Sequence, residues 1–468
     1  MRSLVSPIVL VSILFSIFTP SFGVSAQNRD TEYENMIVID MVDVSTTDEF
    51  VQIENSIEKP LIDTKDINNA HKYALNYIST LEPYDIHWTG KHPKPIGKGV
   101  PYYTDDENAP IVYEWKIRCD DTKNCGSIIV ATIDGVSRVM ESGTYGLANY
   151  ERLGTNKKSK RNKLYYYSAF DQYIESSDGQ ITTVDMIDPE KQLKKSSLEI
   201  KEELRREKEK RKEMRKNGKL QFVTDASNNG GNMSQMVAPT VAIDVSSMPQ
   251  TAGCQSALPC YQQFQQTYGS STQCWSGCTP TAMAIIFGYY DRKGLFSNLY
   301  GNNTQLAPDS GNTDITLINM VNSIRGFMQT YCTALNGGAG ATTQGSTMGI
   351  GMQYARNRGY INSPDGVYSS GIITALFQKI KTEINAARPL IVNYSSATSG
   401  HTMAAYGYND TGVIGTSQLH VNYGFGPSFP DKYISMSVAI VGSSSTNDGN
   451  NAIVGQKLNS IVTVPVRN

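Results

Sequence analysis

Three residues in the second half of the chain combine the side chains that nucleophilic catalysis by cysteine requires. Such chemistry needs a thiolate that attacks, an imidazole that carries the proton and a polar group that orients the imidazole. Cys278, His401 and Asn422 fit these roles in that order along the chain. A donor to the oxyanion of the tetrahedral intermediate is also needed. Gln273, just upstream, fits that role together with the backbone N–H of Cys278.

The segment that must position Cys278 begins polar and then becomes apolar on nearly every face. Pro280 suits the first turn of a helix because its missing N–H is not needed there. Lys293 and Gly294 supply a basic last turn and a glycine stop. A helix without a wide polar face must be buried. We therefore expect Cys278 at the N-terminus of a central buried helix, where free N–H groups and the helix dipole favour a thiolate.

Each of these assignments has an alternative. Cys278 can instead be a buried or disulfide-bonded cysteine that happens to precede a core helix. His420 is a rival imidazole, and strand alternation places it on the same face as Asn422. Cys274 is a weaker nucleophile candidate because it precedes the start of the helix. The weaker substitutes for Gln273 are Gln262, Gln263, Gln265 and Gln266.

The N-terminus has the pattern of a secretory signal peptide. An apolar run from Leu4 to Phe18 follows Arg2, and residues 24–26 form a small-residue cleavage pattern. The run is short for a spanning helix, and no later stretch approaches one. We expect residues 1–26 to be removed and the protein to be secreted or periplasmic, without stable membrane insertion. The net charge of −2 argues against a general nucleic-acid binder, so no nucleic acid is expected as a partner.

Seven cysteines are compatible with an oxidising compartment. An odd count in an exported protein indicates a free thiol or an intermolecular bridge. Two pairs flank short polar loops, and each can close a small disulfide that stabilises by about 2 kcal/mol. Connectivity does not follow from sequence. Of the three remaining cysteines, we expect Cys274 to pair with Cys332 and Cys278 to stay free. The expected pairs are Cys119–Cys125, Cys254–Cys260 and Cys274–Cys332.

Residues 220–468 are expected to fold with helices first and strands afterwards. This order is typical of an α+β domain in which the two classes are segregated. Beyond the cysteine helix, the expected helices are Asp314–Tyr331, Thr347–Arg358 and Ser370–Ala387. The expected strands are Leu390–Tyr394, Thr402–Tyr408, Gln418–Asn422 and Lys432–Val441.

Residues 27–188 are interpreted as a separate, smaller α+β domain. An amphipathic helix is expected at Ile67–Leu81, and a turn at 134–135 predicts a hairpin. The expected strands are Met36–Val42, Phe50–Ile53, Ile111–Ile117, Gly126–Thr132, Ser137–Met140 and Leu164–Ser168. The three histidines of this domain lack metal-ligand spacing and are expected to be solvated or packing residues; they are His71, His87 and His92.

Residues 189–219 are expected to form a charged helical linker. Asp188 is an N-cap candidate, and Pro189 and Glu190 suit a first turn. Our interpretation is an exposed, dibasic linker that is cut during maturation. The alternative is a spacer or a basic tract for nucleic acid, which the interleaved glutamates and the signal peptide disfavour.

The order glutamine, cysteine, histidine, asparagine resembles that of the papain superfamily of cysteine peptidases. GCTPTAMAIIFGYY resembles the cysteine helix of the bacteriocin-leader-processing peptidases and their exported relatives. GHTMAAYGYND and LHVNYGFG together resemble segments of streptopain-type secreted peptidases. The resemblance covers roughly residues 255–445. It implies a papain-like domain in which a central cysteine helix packs on an antiparallel sheet.

The resemblance also implies a role for each site residue. Cys278 matches the nucleophile, His401 the base, Asn422 the orienting residue and Gln273 the oxyanion donor. Phe425 and Tyr423 match the aromatic residues that shield the asparagine–histidine pair in that family. Gln273 departs from the family because it stands one residue closer to the cysteine than in typical papain-like enzymes.

These observations predict a secreted cysteine endopeptidase, made as a zymogen, that hydrolyses proteins or peptides through an acyl-enzyme. Its N-terminal domain would be an intramolecular inhibitor or chaperone. No metal or organic cofactor is expected, because the candidate ligands lack zinc spacing. One alternative is a peptidoglycan hydrolase or amidase with a Cys-His centre. Another is a secreted binding protein that keeps a papain-like scaffold without catalysis.

Overall fold

The structure of the 468-residue chain is a computed structural model. It describes residues 64–85, 87–103, 111–122, 124–133, 136–152, 163–166, 172–176, 179–184, 192–193, 202, 205, 209, 240–243, 258–268, 272–296, 314–333, 340–343, 345–361, 367–369, 373–395, 400–411, 417–426, 429, 431–436 and 457–464. All of these lie within one unit that spans residues 50–468. The predicted signal peptide, the predicted strands at 36–42 and 50–53, and Cys254 lie outside the described residues.

The strands form one group before the helix Cys278–Arg292 and a second group after it. The helices are α1 (Thr64–Leu81), α2 (Asn149–Arg152), α3 (Cys278–Arg292), α4 (Ile315–Phe327), α5 (Gln353–Arg356) and α6 (Ile373–Asn385). The strands before α3 are β1 (Lys94–Tyr102), β2 (Val112–Arg118), β3 (Ser127–Ile133), β4 (Val136–Gly143), β5 (Lys163–Tyr166), β6 (Gln172–Glu175), β7 (Ile181–Val184), β8 (Gln192–Leu193), β9 (Thr240–Ala242), β10 (Gln265–Tyr268) and β11 (Thr272–Trp275). Those after α3 are β12 (Tyr331–Thr333), β13 (Gly340–Thr342), β14 (Val367–Ser369), β15 (Leu390–Ser395), β16 (Gly400–Asn409), β17 (Gln418–Asn422), β18 (Lys432–Ser435) and β19 (Lys457–Val462).

A large antiparallel sheet connects the two groups. Its order is β1-β2-β3-β4-β18-β17-β16-β15-β19-β14, with β9 paired to β16. The first four strands therefore continue the sheet of the second half through the β4–β18 pair, in which Tyr433 lies opposite Ser142. This sheet and the helices confirm the predicted α+β class. The predicted domain boundaries stay a prediction.

Helix α3 is the buried centre of the second half, as the sequence predicts. It begins at Cys278, and every residue from Thr279 to Arg292 is buried. The helix packs closely against Tyr261 at Gly288, where the absence of a side chain leaves room for the Tyr261 ring. The predicted N-terminal position of Cys278 is confirmed.

Two predicted helices differ from the structure at their ends. Helix α4 begins after the N-cap Asp314, whose carboxylate accepts from Thr316 N at 2.8 Å, but it stops at Phe327 instead of Tyr331. It stops because Gln329 adopts φ 53° and the next N–H returns to Arg325 O. The segment predicted as a helix at 347–358 begins as a 3-10 helix, Gly345–Met352, whose glycines disfavour the α-helix.

The prediction of a helix throughout residues 189–219 is wrong at residues 192 and 193. Gln192 and Leu193 form strand β8, in which Leu193 lies opposite Thr183 of β7. Residues 202, 205 and 209 are helical, and Arg205 forms ion pairs with Glu202 and Glu209. The hydrogen-bonding partner offered by β7 therefore overrides the local helix signal at the start of this segment.

The cysteine pairing agrees with the prediction where it is described. Cys119 bonds to Cys125 and Cys274 bonds to Cys332, while Cys278 is free. Cys260 is also disulfide-bonded. In the part of the chain that the structure describes, no helix is long and apolar enough to cross a membrane.

Candidate functional site

The nucleophile candidate, Cys278, is a partly exposed free thiol at the first residue of α3. The preceding Gly277 has φ 100° and ψ 140°, a conformation that favours glycine. The Gly277 carbonyl accepts hydrogen bonds from Thr281 N at 3.2 Å and Thr281 Oγ1 at 2.9 Å. This turn directs the chain into the helix and leaves Cys278 at its N-terminal end.

Two residues of β16 lower the pKa of the Cys278 thiol. Burial is the largest single influence and raises the pKa. The hydrogen bond and charge of His401, together with hydrogen bonds from Thr402, outweigh it and bring the pKa to about 7. The thiolate is the nucleophilic form of cysteine. A substantial fraction of Cys278 is therefore ready to attack near neutral pH.

The ring of His401 is held by a backbone carbonyl. His401 is buried, and its Nε2 lies 3.0 Å from Tyr423 O. Because a carbonyl oxygen only accepts, we assign the proton of the neutral ring to Nε2. This tautomer leaves Nδ1 free of a proton, and Nδ1 can then take the proton of the thiol.

Asn422 lies next to this carbonyl, at the end of β17. Its Oδ1 accepts the N–H of Gly424 at 2.9 Å, and the residue lies opposite Ala404 of β16. Gly424 itself has φ 72°. The side chain of Asn422 thus fixes the turn that presents Tyr423 O to His401. Its predicted direct role in orienting the histidine stays a prediction.

The predicted aromatic neighbours surround His401. The centroid of the Phe425 ring lies 4.8 Å from that of His401, and the centroid of the Tyr423 ring lies 6.2 Å away. Phe429 packs against both aromatic rings, at 5.0 and 4.9 Å. This apolar cover limits the access of water to the hydrogen bond between His401 and Tyr423.

The glutamines differ in their position relative to this cover. Gln273 is exposed on the β10–β11 hairpin, opposite Thr267. Gln262 instead pairs with Phe425 in an antiparallel bridge, and directly opposed residues project to the same side of a sheet. The Phe425 ring contacts His401, so Gln262 projects toward the His401 side. Gly426 permits this, because a Cβ there would overlap the Gln262 side chain.

Side-chain bonds join the helix to the strand that carries His401. Thr279 Oγ1 lies 2.9 Å from Thr402 Oγ1, and Thr402 Oγ1 donates to Asn393 Oδ1 at 3.2 Å. These bonds connect the residue after Cys278 to the residue after His401. The relative position of thiol and imidazole is therefore fixed by their immediate neighbours.

A buried arginine holds the segment before Cys278. Arg325 of α4 donates to Trp275 O at 3.0 Å and to Ser276 O at 2.9 Å. It also donates to both sulfurs of the Cys274–Cys332 disulfide, at 3.4 and 3.6 Å. Cys274 is thereby committed to a structural bond, which removes it as a nucleophile.

The rival imidazole, His420, has a different environment. It stacks on Tyr433 at 4.0 Å, and its Nε2 lies 3.1 Å from Tyr406 Oη. Burial lowers its pKa to about 3, with a further contribution from His87. His420 therefore stays neutral at physiological pH, and it is not among the groups that set the pKa of Cys278. Both features disfavour a Cys-His-His centre.

The sequence did not single out three of these contributions. Thr402 follows the catalytic histidine candidate directly, so its position was a usable signal. The Tyr423 carbonyl acts through the backbone, which no residue type reveals. Gln262 was one of four weaker substitutes named for Gln273, and only its bridge to Phe425 distinguishes it from the other three.

Comparison with known proteins gives one family match, which covers the segment that carries this site. The model of the Peptidase_C39-like family matches residues 255–421. The matched segment contains Cys278 and His401 and ends one residue before Asn422. No curated protein matches the chain. The match supports the assignment of residues 255–421, which carry the free thiol and its imidazole, to the papain-like superfamily of cysteine peptidases.

Proposed function

We propose that the protein is a secreted cysteine endopeptidase that attacks peptide bonds with Cys278. The observation that carries the proposal is the Cys278 thiol, whose pKa is lowered to about 7 beside His401. A thiolate at neutral pH, held next to an imidazole, is the arrangement that acyl transfer requires. Disulfides and the predicted signal peptide support export.

In the proposed mechanism, His401 Nδ1 takes the thiol proton and the Cys278 sulfur attacks the peptide carbonyl. A C–S bond forms, and the carbonyl π electrons move to the oxygen. The C–N bond then breaks as His401 returns its proton to the leaving amine. Water, deprotonated by His401, hydrolyses the thioester and regenerates the thiol. The Tyr423 carbonyl and Asn422 keep the imidazole oriented through these steps.

The developing oxyanion needs preorganised donors. The backbone N–H of Cys278, at the N-terminus of α3, is one proposed donor. Gln262 is the preferred side-chain donor because it projects toward the His401 side, whereas Gln273 is exposed on its hairpin. We retain Gln273 only as the second choice.

The protein is further proposed to be made as a zymogen that is cut between residues 216 and 250. Its N-terminal region would assist folding and, until the cut, restrain activity. The test is mass spectrometry of the protein lacking residues 1–26, and of its Cys278→Ala variant, after incubation with a thiol reductant and casein. The wild type should shorten and degrade casein, and the variant should do neither.

Failure of the wild type to cleave casein, together with no labelling of Cys278 by an epoxide inhibitor, would overturn the proposal in favour of a binding protein. Labelling of Cys278 combined with clearing of cell-wall suspensions, but not casein cleavage, would favour a peptidoglycan hydrolase.

A further inference from the structure

The N-terminal region, which we define as residues 64–184, is joined to the peptidase through the interior of the sheet. Strand β4 pairs with β18, so that Ile434 lies opposite Glu141. The Ser435 hydroxyl donates to Val139 O at 2.9 Å across this pair. Tyr77 of α1 also reaches across and donates to Gln418 of β17. Strand β18 lies inside the sheet, and release of the region would turn it into an edge strand with unpaired backbone groups.

A buried polar network crosses the same boundary. Lys432 Nζ lies 2.6 Å from Asn149 Oδ1 and 3.5 Å from Glu141 Oε2. Asn149 Nδ2 donates to Glu141 Oε1 at 2.6 Å. All three residues are fully buried, and both partners of Lys432 come from the N-terminal region. Removal of one partner from a buried ion pair leaves an uncompensated charge, which is strongly destabilising.

This network reaches the catalytic centre through one residue. The hydroxyl of Tyr423 donates to Glu141 Oε2 at 3.5 Å, while the carbonyl of Tyr423 accepts from His401 Nε2 at 3.0 Å. The aromatic cover of His401 is supported from the same side, because the Arg152 guanidinium lies 4.6 Å from the Phe429 ring centroid. The N-terminal region thus contacts the residues that hold the imidazole.

From this geometry we propose that the N-terminal region is a permanent part of the peptidase and supplies Glu141 as a positioning residue for His401, acting through Tyr423. The inference rests on the proposed function for its catalytic readout. It differs from a removable propeptide because a cut in the linker would leave two chains that stay associated.

The first test separates association from activity. A recognition sequence for a site-specific protease is introduced between residues 216 and 250, and the cut protein is passed over a size-exclusion column in native buffer. The two fragments should elute together, and the complex should label at Cys278 with an epoxide inhibitor. A C-terminal fragment that elutes alone and keeps its activity would overturn the inference.

The second test measures positioning. Tyr423→Phe keeps the ring, the carbonyl and the Glu141–Lys432 pair, but removes the hydroxyl contact, so the variant is expected to fold. Its kcat should fall about fivefold with KM unchanged, since the imidazole acts mainly in the transition state. Glu141→Gln removes the same contact but also leaves the buried Lys432 charge without its carboxylate partner, so it should lower the melting temperature as well as kcat. Adding Tyr423→Phe to Glu141→Gln should lower kcat no further, because the contact is already lost.

Glu151→Gln is the matched control. Glu151 also lies in the N-terminal region, but it pairs with Lys116 of the same region at 2.7 Å. Its kcat should stay within about twofold of the wild type. Unchanged kcat in Tyr423→Phe, or additive losses in the double variant, would overturn the positioning role. A parent protein that never labels at Cys278 would instead overturn the proposed function, and co-elution would still decide whether the region is retained.

Discussion

Replacement of His401 by alanine should change the reactivity of Cys278 in two opposite ways. His401 supplies the main influences that lower the pKa of the thiol to about 7, while burial acts against them. Without the imidazole, the pKa should rise at least to the ordinary value for cysteine, about 8.5. That rise of about 1.5 units corresponds to about 2 kcal/mol less stabilisation of the thiolate.

The assay is the rate of alkylation of Cys278 by iodoacetamide between about pH 5 and about pH 10. At pH 7 the thiolate fraction should fall from about one half to about 3%, some 16-fold. A more basic thiolate is more nucleophilic, with a Brønsted coefficient of about 0.4–0.5, which returns about fivefold. The variant should therefore react about threefold more slowly at pH 7 but reach a plateau about fivefold higher at alkaline pH.

The control is His420→Phe, which removes the other histidine of this half of the chain and keeps an aromatic ring against Tyr433. Its alkylation midpoint should stay near pH 7, because His420 does not act on Cys278. A midpoint near pH 7 in His401→Ala would refute the reasoning. The thiolate would then owe its stability to Thr402 and the N-terminus of α3.

Substitutions at three further residues examine the groups around the reacting atoms. Gln262→Ala should lower kcat about 100-fold through loss of an oxyanion donor, while Gln273→Ala should change kcat less than about twofold. Steady-state kinetics on a peptide substrate measures both values. A larger loss in Gln273→Ala than in Gln262→Ala would restore Gln273 as the donor. Asn422→Ala should lower both kcat and the melting temperature, because the buried N–H of Gly424 loses its acceptor at a cost of about 1–3 kcal/mol. Asn422→Asp keeps an acceptor oxygen for this N–H and should therefore lower the melting temperature less than Asn422→Ala does, so an equal drop in both variants would contradict this role.

The sequence predicted those parts of the fold whose signals are local. Helix α3 is apolar on nearly every side and has Pro280 near its start and Gly294 after its end, so its bounds follow from the pattern. Strands β15 to β17 were predicted close to their observed bounds, whereas β18 begins at the predicted Lys432 but ends at Ser435 instead of Val441. Strand β8 was missed because pairing with β7 outweighs the helix-starting residues before it.

The missing parts depend on contacts between distant segments. The sequences of β4 and β18 contain no signal that predicts their pairing, because the tertiary fold determines which strands become neighbours. For the same reason the tie between Glu141 and Tyr423 was invisible in the sequence. The thiol and imidazole candidates came from residue type and order, whereas the carbonyl that holds His401 belongs to the backbone and has no signature.

The β4–β18 pair also constrains the order in which the chain folds. Val139 and Ser435, which bond across it, are 296 residues apart. The first strands can form their hairpins early, but β4 keeps one open edge until β18 has been made. Long-range pairing of this kind is slow, and an open edge can pair with another chain during the delay. The sheet formed by β1 to β4 therefore gains its last neighbouring strand only when β18 has been made.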